Sequence, residues 1–110
     1  MAPPTPERDP EASNTSEPPE ATIRAARSLF QIGVAAFQMG RYEDARDAFE
    51  AAHQLVPKPQ VLYNLAMVEM KLGHVKEACQ HLEAWMRDAT PSPSRLQSMS
   101  SELQKCGIGP

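Results

Sequence analysis

Long hydrophobic runs are missing from this sequence of 110 residues. No stretch approaches the ~18 consecutive apolar residues that a membrane span needs. The first residues also lack a basic patch followed by an apolar run, and they are neither arginine-rich nor poor in acids. We therefore expect no secretory signal and no organelle transit peptide. These absences predict a cytoplasmic protein that has no membrane partner.

Cysteine is scarce, because the chain contains only Cys79 and Cys106. The two form no CxxC pair and belong to no cluster with the spacing of metal ligands. A cytoplasmic protein keeps such residues reduced. The sequence therefore predicts two free thiols, at least partly buried.

An excess of charge of one sign is also lacking over most of the chain. Residues 21–110 hold ten basic and nine acidic side chains, which gives a net charge of +1. Binding to nucleic acid or to an anionic membrane surface depends on a strongly basic face. This balance therefore predicts no nucleic-acid partner.

Residues 1–20 differ sharply from the rest of the sequence. They contain six of the eleven prolines and five acids against one base, and only Met1, Ala2 and Ala12 are apolar. So little apolar surface cannot offset an ordering cost of roughly 1–2 kcal/mol per residue. We expect a disordered Pro/acid-rich arm over residues 1–20, with a passive solubilising role favoured over a binding role, and a folded domain over 21–107.

The folded part repeats itself after 33 residues. Small residues and glycines recur at this spacing, and large apolar residues recur between them. A period of this length with small residues at fixed phase indicates two helices per unit, stacked on the next unit. The matched pairs are Gly33 and Ala66, Phe37 and Met70, Gly40 and Gly73, Ala45 and Ala78, and Phe49 and Leu82.

The residues in this register fit a known pattern. The run Leu29–Pro59 resembles a tetratricopeptide repeat along its whole length, and Val61–Pro91 resembles a second copy with departures. Glu69 stands where tyrosine is usual, and Trp85 stands where alanine is usual. The resemblance implies an all-α fold, a TPR-like α-solenoid of two helical hairpins plus a C-terminal capping helix. Repeat 1 covers about 26–58, repeat 2 about 59–91, and the capping helix about 92–106.

The capping helix is expected to begin at Ser92 as N-cap, with Pro93 in the first turn. Its apolar residues Leu96, Met99, Leu103 and Cys106 lie on one stripe. A cap covers the last open face of a helical array. We therefore expect Trp85 to pack beneath it.

The resemblance also implies that the first helix of each unit faces a concave groove in which a peptide binds. Phe37 and Met70 fit the interior as well as the groove, and this alternative stays open. The expected groove residues are Arg27, Phe30, Val34, Phe37, Tyr63, Asn64, Met67, Met70 and Lys71, with Gln38 and Gln60 beside them.

The function that this predicts is a non-enzymatic protein–protein interaction module of the adaptor or co-chaperone type, which binds an apolar or amphipathic segment. Family members that bind the acidic C-termini of chaperones use a carboxylate clamp of Lys, Arg and Asn side chains. This clamp is not expected here, because Phe30 and Val34 occupy its first-unit positions and only Asn64 matches a clamp residue. Leu29–Phe49 also resembles the first repeat of type III secretion chaperones. A structural subunit that forms a homodimer through the same face is the other alternative.

No catalytic arrangement is expected. His74 and His81 are seven residues apart, which is too far for the i, i+4 spacing of helical metal ligands. Cys79 and His81 point in different directions on one helix. We interpret the histidines, His53 included, as solvated surface side chains, and predict no catalytic residue, no metal and no cofactor.

Overall fold

The computed structural model describes residues 17–108, and within them the chain forms helices and no strand. The first hairpin pairs α1 (Glu20–Gln38) with α2 (Tyr42–Leu55), the second pairs α3 (Pro59–Leu72) with α4 (Val75–Ala89), and α2 packs against α3. The predicted all-α architecture of two helical hairpins followed by a C-terminal helical segment is confirmed. The C-terminal segment consists of α5 (Pro93–Ser98) and α6 (Ser100–Lys105).

The predicted arm lies mostly outside the described residues, since only its last four positions fall within 17–108. Its last residue, Glu20, is already helical and begins α1 directly after Pro19. The folded part therefore starts one residue before the expected boundary.

Both hairpins turn in the same way. Gly40 has φ 77° and Gly73 has φ 80°, the left-handed backbone that favours glycine. After each glycine the next backbone N–H reaches back five residues, from Arg41 to the Ala36 carbonyl and from His74 to the Glu69 carbonyl, each at 2.8 Å. The glycines predicted to stop α1 and α3 therefore form equivalent turns in the two repeats.

Close packing of α1 on α2 depends on Gly33. A Cβ atom at this position would lie 2.5, 2.7 and 2.9 Å from three ring carbons of Phe49, whose side chain is 1% exposed. In the second hairpin the equivalent residues are Ala66 and Leu82, both fully buried in one core cluster. Each hairpin thus combines a small residue on its first helix with a large one on its second.

The predicted capping helix is not one helix, because it is interrupted at Met99. Ser92 is the N-cap as expected, and its hydroxyl accepts a hydrogen bond from the Arg95 backbone N–H at 3.2 Å. The Ser98 hydroxyl donates to the Arg95 carbonyl at 2.7 Å, a local bond that competes with the helical hydrogen-bond pattern. Met99 itself is buried. The chain therefore forms two short helices, α5 and α6, which we call the cap (93–106).

The cap covers Trp85, as the sequence predicts. Trp85 is 5% exposed and shares a core cluster with Met99 and Leu103 of the cap. Leu96 and Ile108 pack against the same cluster. A large side chain therefore fits where the family usually has alanine, because the cap and not a further full repeat lies against it.

The prediction of two free thiols is wrong. Cys79 of α4 and Cys106, the residue after α6, form a disulfide with a Cα–Cα distance of 5.4 Å. Both residues are half-buried, so only the expectation of partial burial is confirmed. The prediction of free thiols rested on the expected cytoplasmic location, where cysteines stay reduced. In the structure the cap brings Cys106 beside Cys79, although 27 positions separate them in the sequence.

Candidate functional site

The inner faces of α1 and α3 and the end of α6 enclose an open cavity of about 530 Å³, which we call the main trough. Seven of the nine groove residues predicted from the sequence lie on it, together with Gln38. They are Val34 and Phe37 of α1 and Tyr63, Asn64, Met67, Met70 and Lys71 of α3.

The other two predicted residues, Arg27 and Phe30, line a separate cavity of about 220 Å³, which we call the end cavity. The Phe30 ring packs 5.5 Å from the ring of Phe49 at the α1–α2 interface. Phe49 borders the main trough, whereas Phe30 borders the end cavity. The predicted single groove is therefore two cavities. Gln60 lines the end cavity and donates to Asn64 of the main trough, with 3.0 Å between Gln60 Nε2 and Asn64 Oδ1.

Phe37 and Met70 line the main trough and also pack against the interior. Phe37 is half-buried, packs against the core of the first hairpin, and has its ring 5.3 Å from that of Tyr42. Met70 is also half-buried and packs against the core of the second hairpin. Each side chain thus contacts the core on one side and the main trough on the other.

Tyr63 connects the main trough to the cap. Its ring lies 5.2 Å from the Trp85 ring, and the Arg95 guanidinium carbon of α5 lies 4.7 Å from the Tyr63 ring centroid. Arg95 also lies 5.7 Å from the Trp85 ring centroid. A cation held over two aromatic faces attracts both, and such contacts contribute about 0.5–1 kcal/mol at exposed positions. The position of the cap therefore affects the part of the main trough that Tyr63 lines.

The cap adds two charged residues that sequence reasoning missed, Glu102 and Lys105, which line the main trough opposite α3. The stripe of Leu96, Met99 and Leu103 predicts which face of the cap is buried, but it does not show that the neighbouring face borders the trough. With Lys71 on the other side, the charged lining of the main trough is two lysines and one glutamate.

A buried carboxylate stands where the family usually has tyrosine. Glu69 of α3 is 3% exposed, and its Oε1 lies 2.7 Å from Nδ1 of His81 on α4. The hydrogen bond with Glu69 raises the pKa of His81; burial opposes this, and the charges of Glu69, Glu50 and Glu77 add to it. The interpretation of His81 as a solvated surface residue is therefore wrong, and His53 and His74 are half-buried as well.

This pair makes stability depend on pH. Because the pKa of folded His81 is raised above its ordinary value of 6.5, the pair stabilises the fold fully below pH 6.5. The contribution is lost as the pH rises through the folded-state pKa. We expect the loss of stability caused by His81→Gln, measured by urea unfolding, to be larger at pH 5.5 than at pH 8.5.

His74→Gln is the matched control, because among residues 17–108 no carboxylate forms a salt bridge with His74. Its effect at the two pH values gives the baseline against which the pH dependence of His81→Gln is judged. Equal effects of His81→Gln at the two pH values would contradict the assignment.

Two kinds of site do not occur in the part of the chain that the structure describes. No group of three or more His, Cys, Asp or Glu side chains there is placed to hold a metal ion. Within the same residues, no helix combines the length and apolar character needed to cross a bilayer.

Stacked antiparallel helical hairpins with a concave inner face define a helical repeat protein. Tetratricopeptide repeat family models match residues 26–59 and residues 59–84. The chain therefore belongs to the tetratricopeptide repeat family, whose members are general protein–protein interaction modules and typically non-catalytic. Among curated proteins none matches the chain.

Proposed function

We propose that this protein binds an apolar or amphipathic segment of another protein in the main trough, as an adaptor or co-chaperone. The observation that carries the proposal is the placement of half-buried apolar side chains around one open cavity. These side chains are Val34, Phe37, Met67 and Met70. Apolar surfaces of this kind with a polar rim tend to be interfaces, and methionine adapts its shape to different partners.

Asn64 supplies the polar group that such a site needs. Gln60 donates to Asn64 Oδ1 in a solvent-exposed hydrogen bond of 3.0 Å, which favours one orientation of the amide. The amide nitrogen of Asn64 is then directed to donate to a backbone carbonyl of the bound segment. A hydrogen bond to the backbone holds an extended segment independently of its sequence, while the apolar walls select its side chains.

The size of the main trough limits what it accommodates. Its volume of about 530 Å³ lies within the ~300–1,000 Å³ of ordinary binding pockets. This space accepts a few side chains of a short segment and not a whole folded surface. The end cavity, lined by Arg27, Phe30 and Lys58, is positioned to accept one more apolar side chain with an acidic neighbour.

The cytoplasmic location and the likeness to type III secretion chaperones stay predictions. The disulfide weighs against a permanently reduced cytoplasmic form, because thiol reductants keep such bonds rare there. Oligomerisation through the same face is the competing use of the main trough.

The proposal is tested with two neighbouring residues of α1. Val34 lines the main trough, whereas Ile32 is 56% exposed and lies outside both cavities. Peptides are selected from a random displayed library against the wild-type protein, and their affinity is measured by fluorescence anisotropy. Val34→Glu should weaken binding by at least about tenfold, because a carboxylate then faces the apolar part of the ligand, and Ile32→Glu should change it by less than about twofold.

Circular dichroism must show the same helical content for both variants. Equal affinities for the two variants would place the ligand elsewhere. If no peptide is selected, and sedimentation shows a dimer that Val34→Glu alone dissociates, the oligomerisation alternative replaces the proposal.

A further inference from the structure

The cap is held to the repeats mainly by side chains. Its two short helices make few close backbone contacts with the hairpins. At one end Arg95 lies over Tyr63 and Trp85, and in the middle Met99 and Leu103 are buried against the second hairpin. At the other end the disulfide to Cys79 fixes Cys106.

The residues that the cap contributes to the main trough belong to α6, and this bond directly follows α6. Glu102 and Lys105 line the trough, and Cys106 directly follows Lys105. Glu102 lies in the first turn of α6 and Lys105 in its last turn, so both side chains move when α6 leaves the second hairpin. The covalent link is placed where it controls one wall of the main trough.

We propose that the Cys79–Cys106 disulfide is a thiol-reducible latch: when closed it holds the cap against α4 and completes the main trough, and when reduced it releases the cap and opens that wall. The part of this inference that concerns binding rests on the proposed function. The part that concerns the cap does not.

The chemistry is ordinary thiol–disulfide exchange with a small thiol or a dithiol reductant. A thiolate attacks one sulfur, the S–S bond breaks, and the other cysteine leaves as a thiolate that takes up a proton. A second thiol then resolves the mixed disulfide. Two protein thiols and one oxidised reductant result, so two electrons are transferred. Both cysteines are half-buried and not enclosed, which leaves the bond within reach of a small reductant.

Reduction shifts the equilibrium between the docked and the undocked cap, because few other contacts hold the cap in place. Met99 and Leu103 are the buried residues of the cap, and the cation–π contact of Arg95 is exposed to solvent. Without the covalent link, docking the cap costs more conformational entropy, and only these contacts and those of the partly buried Leu96, Cys106 and Ile108 offset the cost. The open form therefore becomes populated, and Trp85 and Tyr63 lose their cover.

Trp85 reports on the cap directly because it is the only tryptophan in the chain. Quenching of its fluorescence by acrylamide is compared in the oxidised protein, in the protein treated with dithiothreitol, and in Cys79→Ser/Cys106→Ser. Reduction and the double substitution should each increase quenching by at least about twofold. The double variant should not respond to dithiothreitol, which shows that the reductant acts through this bond.

Hydrogen exchange separates a latch from general destabilisation. Loss of global stability on reduction accelerates exchange in every helix, so the latch is judged by a difference. The acceleration should be at least about tenfold larger for amides of residues 93–106 than for those in the middle of α1 and α2. Unchanged quenching and exchange would overturn the proposal, since the cap would then stay closed without the bond. A uniform acceleration in all helices would overturn it too, because the cap would not be opening by itself.

The binding consequence is measured with a peptide selected against the oxidised protein. Its affinity should fall by at least about fivefold on reduction, since Glu102 and Lys105 leave the wall of the main trough. The same affinity in both states, with the cap shown to open, would overturn the role of the latch in binding. Failure to select any peptide would count against the proposed function alone, because the tryptophan and exchange experiments need no ligand.

Discussion

Replacing Cys79 and Cys106 with alanine is expected to lower the midpoint of thermal unfolding by more than about 10 °C. The disulfide joins positions 27 residues apart, and closing a loop of this length restricts the unfolded chain by about 3–4 kcal/mol. For a folded part of this size, each 1 kcal/mol shifts the midpoint by ~4–8 °C. Thermal scans followed by circular dichroism measure the change.

The wild-type protein scanned in dithiothreitol should reproduce the midpoint of the alanine variant. The matched control is the alanine variant with and without reductant, which should show one midpoint. A loss of less than about 2 °C would contradict the expected effect of the bond on the unfolded chain, and the docking of the cap would be the property that the bond controls.

Gly33→Ala is expected to destabilise the protein by about 1–3 kcal/mol, although alanine is the better helix former by about 1 kcal/mol. The added Cβ would lie 2.5 Å from the nearest ring carbon of Phe49. Phe49 is 1% exposed and its ring packs on Phe30, so moving it toward the main trough, which it borders, would break this packing. The free energy of unfolding in urea measures the loss.

The second hairpin shows how the clash can be relieved. There the corresponding pair is Ala66 and Leu82, which fit together in one core cluster. Phe49→Leu combined with Gly33→Ala should therefore cost at least about 1 kcal/mol less than the sum of the two single changes. Ser28→Ala, an exposed position on the same helix, should change stability by less than about 0.5 kcal/mol.

If the losses of unfolding free energy caused by Gly33→Ala and Phe49→Leu simply added in the double variant, the proposed contact between the two positions would be contradicted. A single Gly33→Ala variant that is as stable as the wild-type protein would show that α1 can move away from α2 at little cost. Either result would remove the reason for a glycine at this position.

Much of the groove follows from the repeat register. Val34, Phe37 and Met67 lie on the inner faces of α1 and α3 because the helical period places them there. Phe30 belongs to the same register, yet its ring packs on Phe49 and lines the end cavity. Register fixes the face of a helix, but the neighbouring side chains decide which cavity a long side chain borders.

The sequence by itself determined the two hairpins, the glycine turns at Gly40 and Gly73, and the burial of Trp85 beneath the cap. The glycine turns follow from local backbone preferences, and the hairpins follow from the 33-residue period, so both can be predicted from the sequence without knowledge of tertiary contacts.

Only the tertiary structure decided that Cys79 bonds to Cys106, that Glu69 pairs with His81, and that Glu102 and Lys105 wall the main trough. Each of these arrangements depends on how closely non-equivalent elements approach one another. The cap has no counterpart in the repeats, so no period relates its residues to those of α3 and α4. The return of the chain across α4 sets their distances, and the packing of Met99 and Leu103 on Trp85 fixes that return.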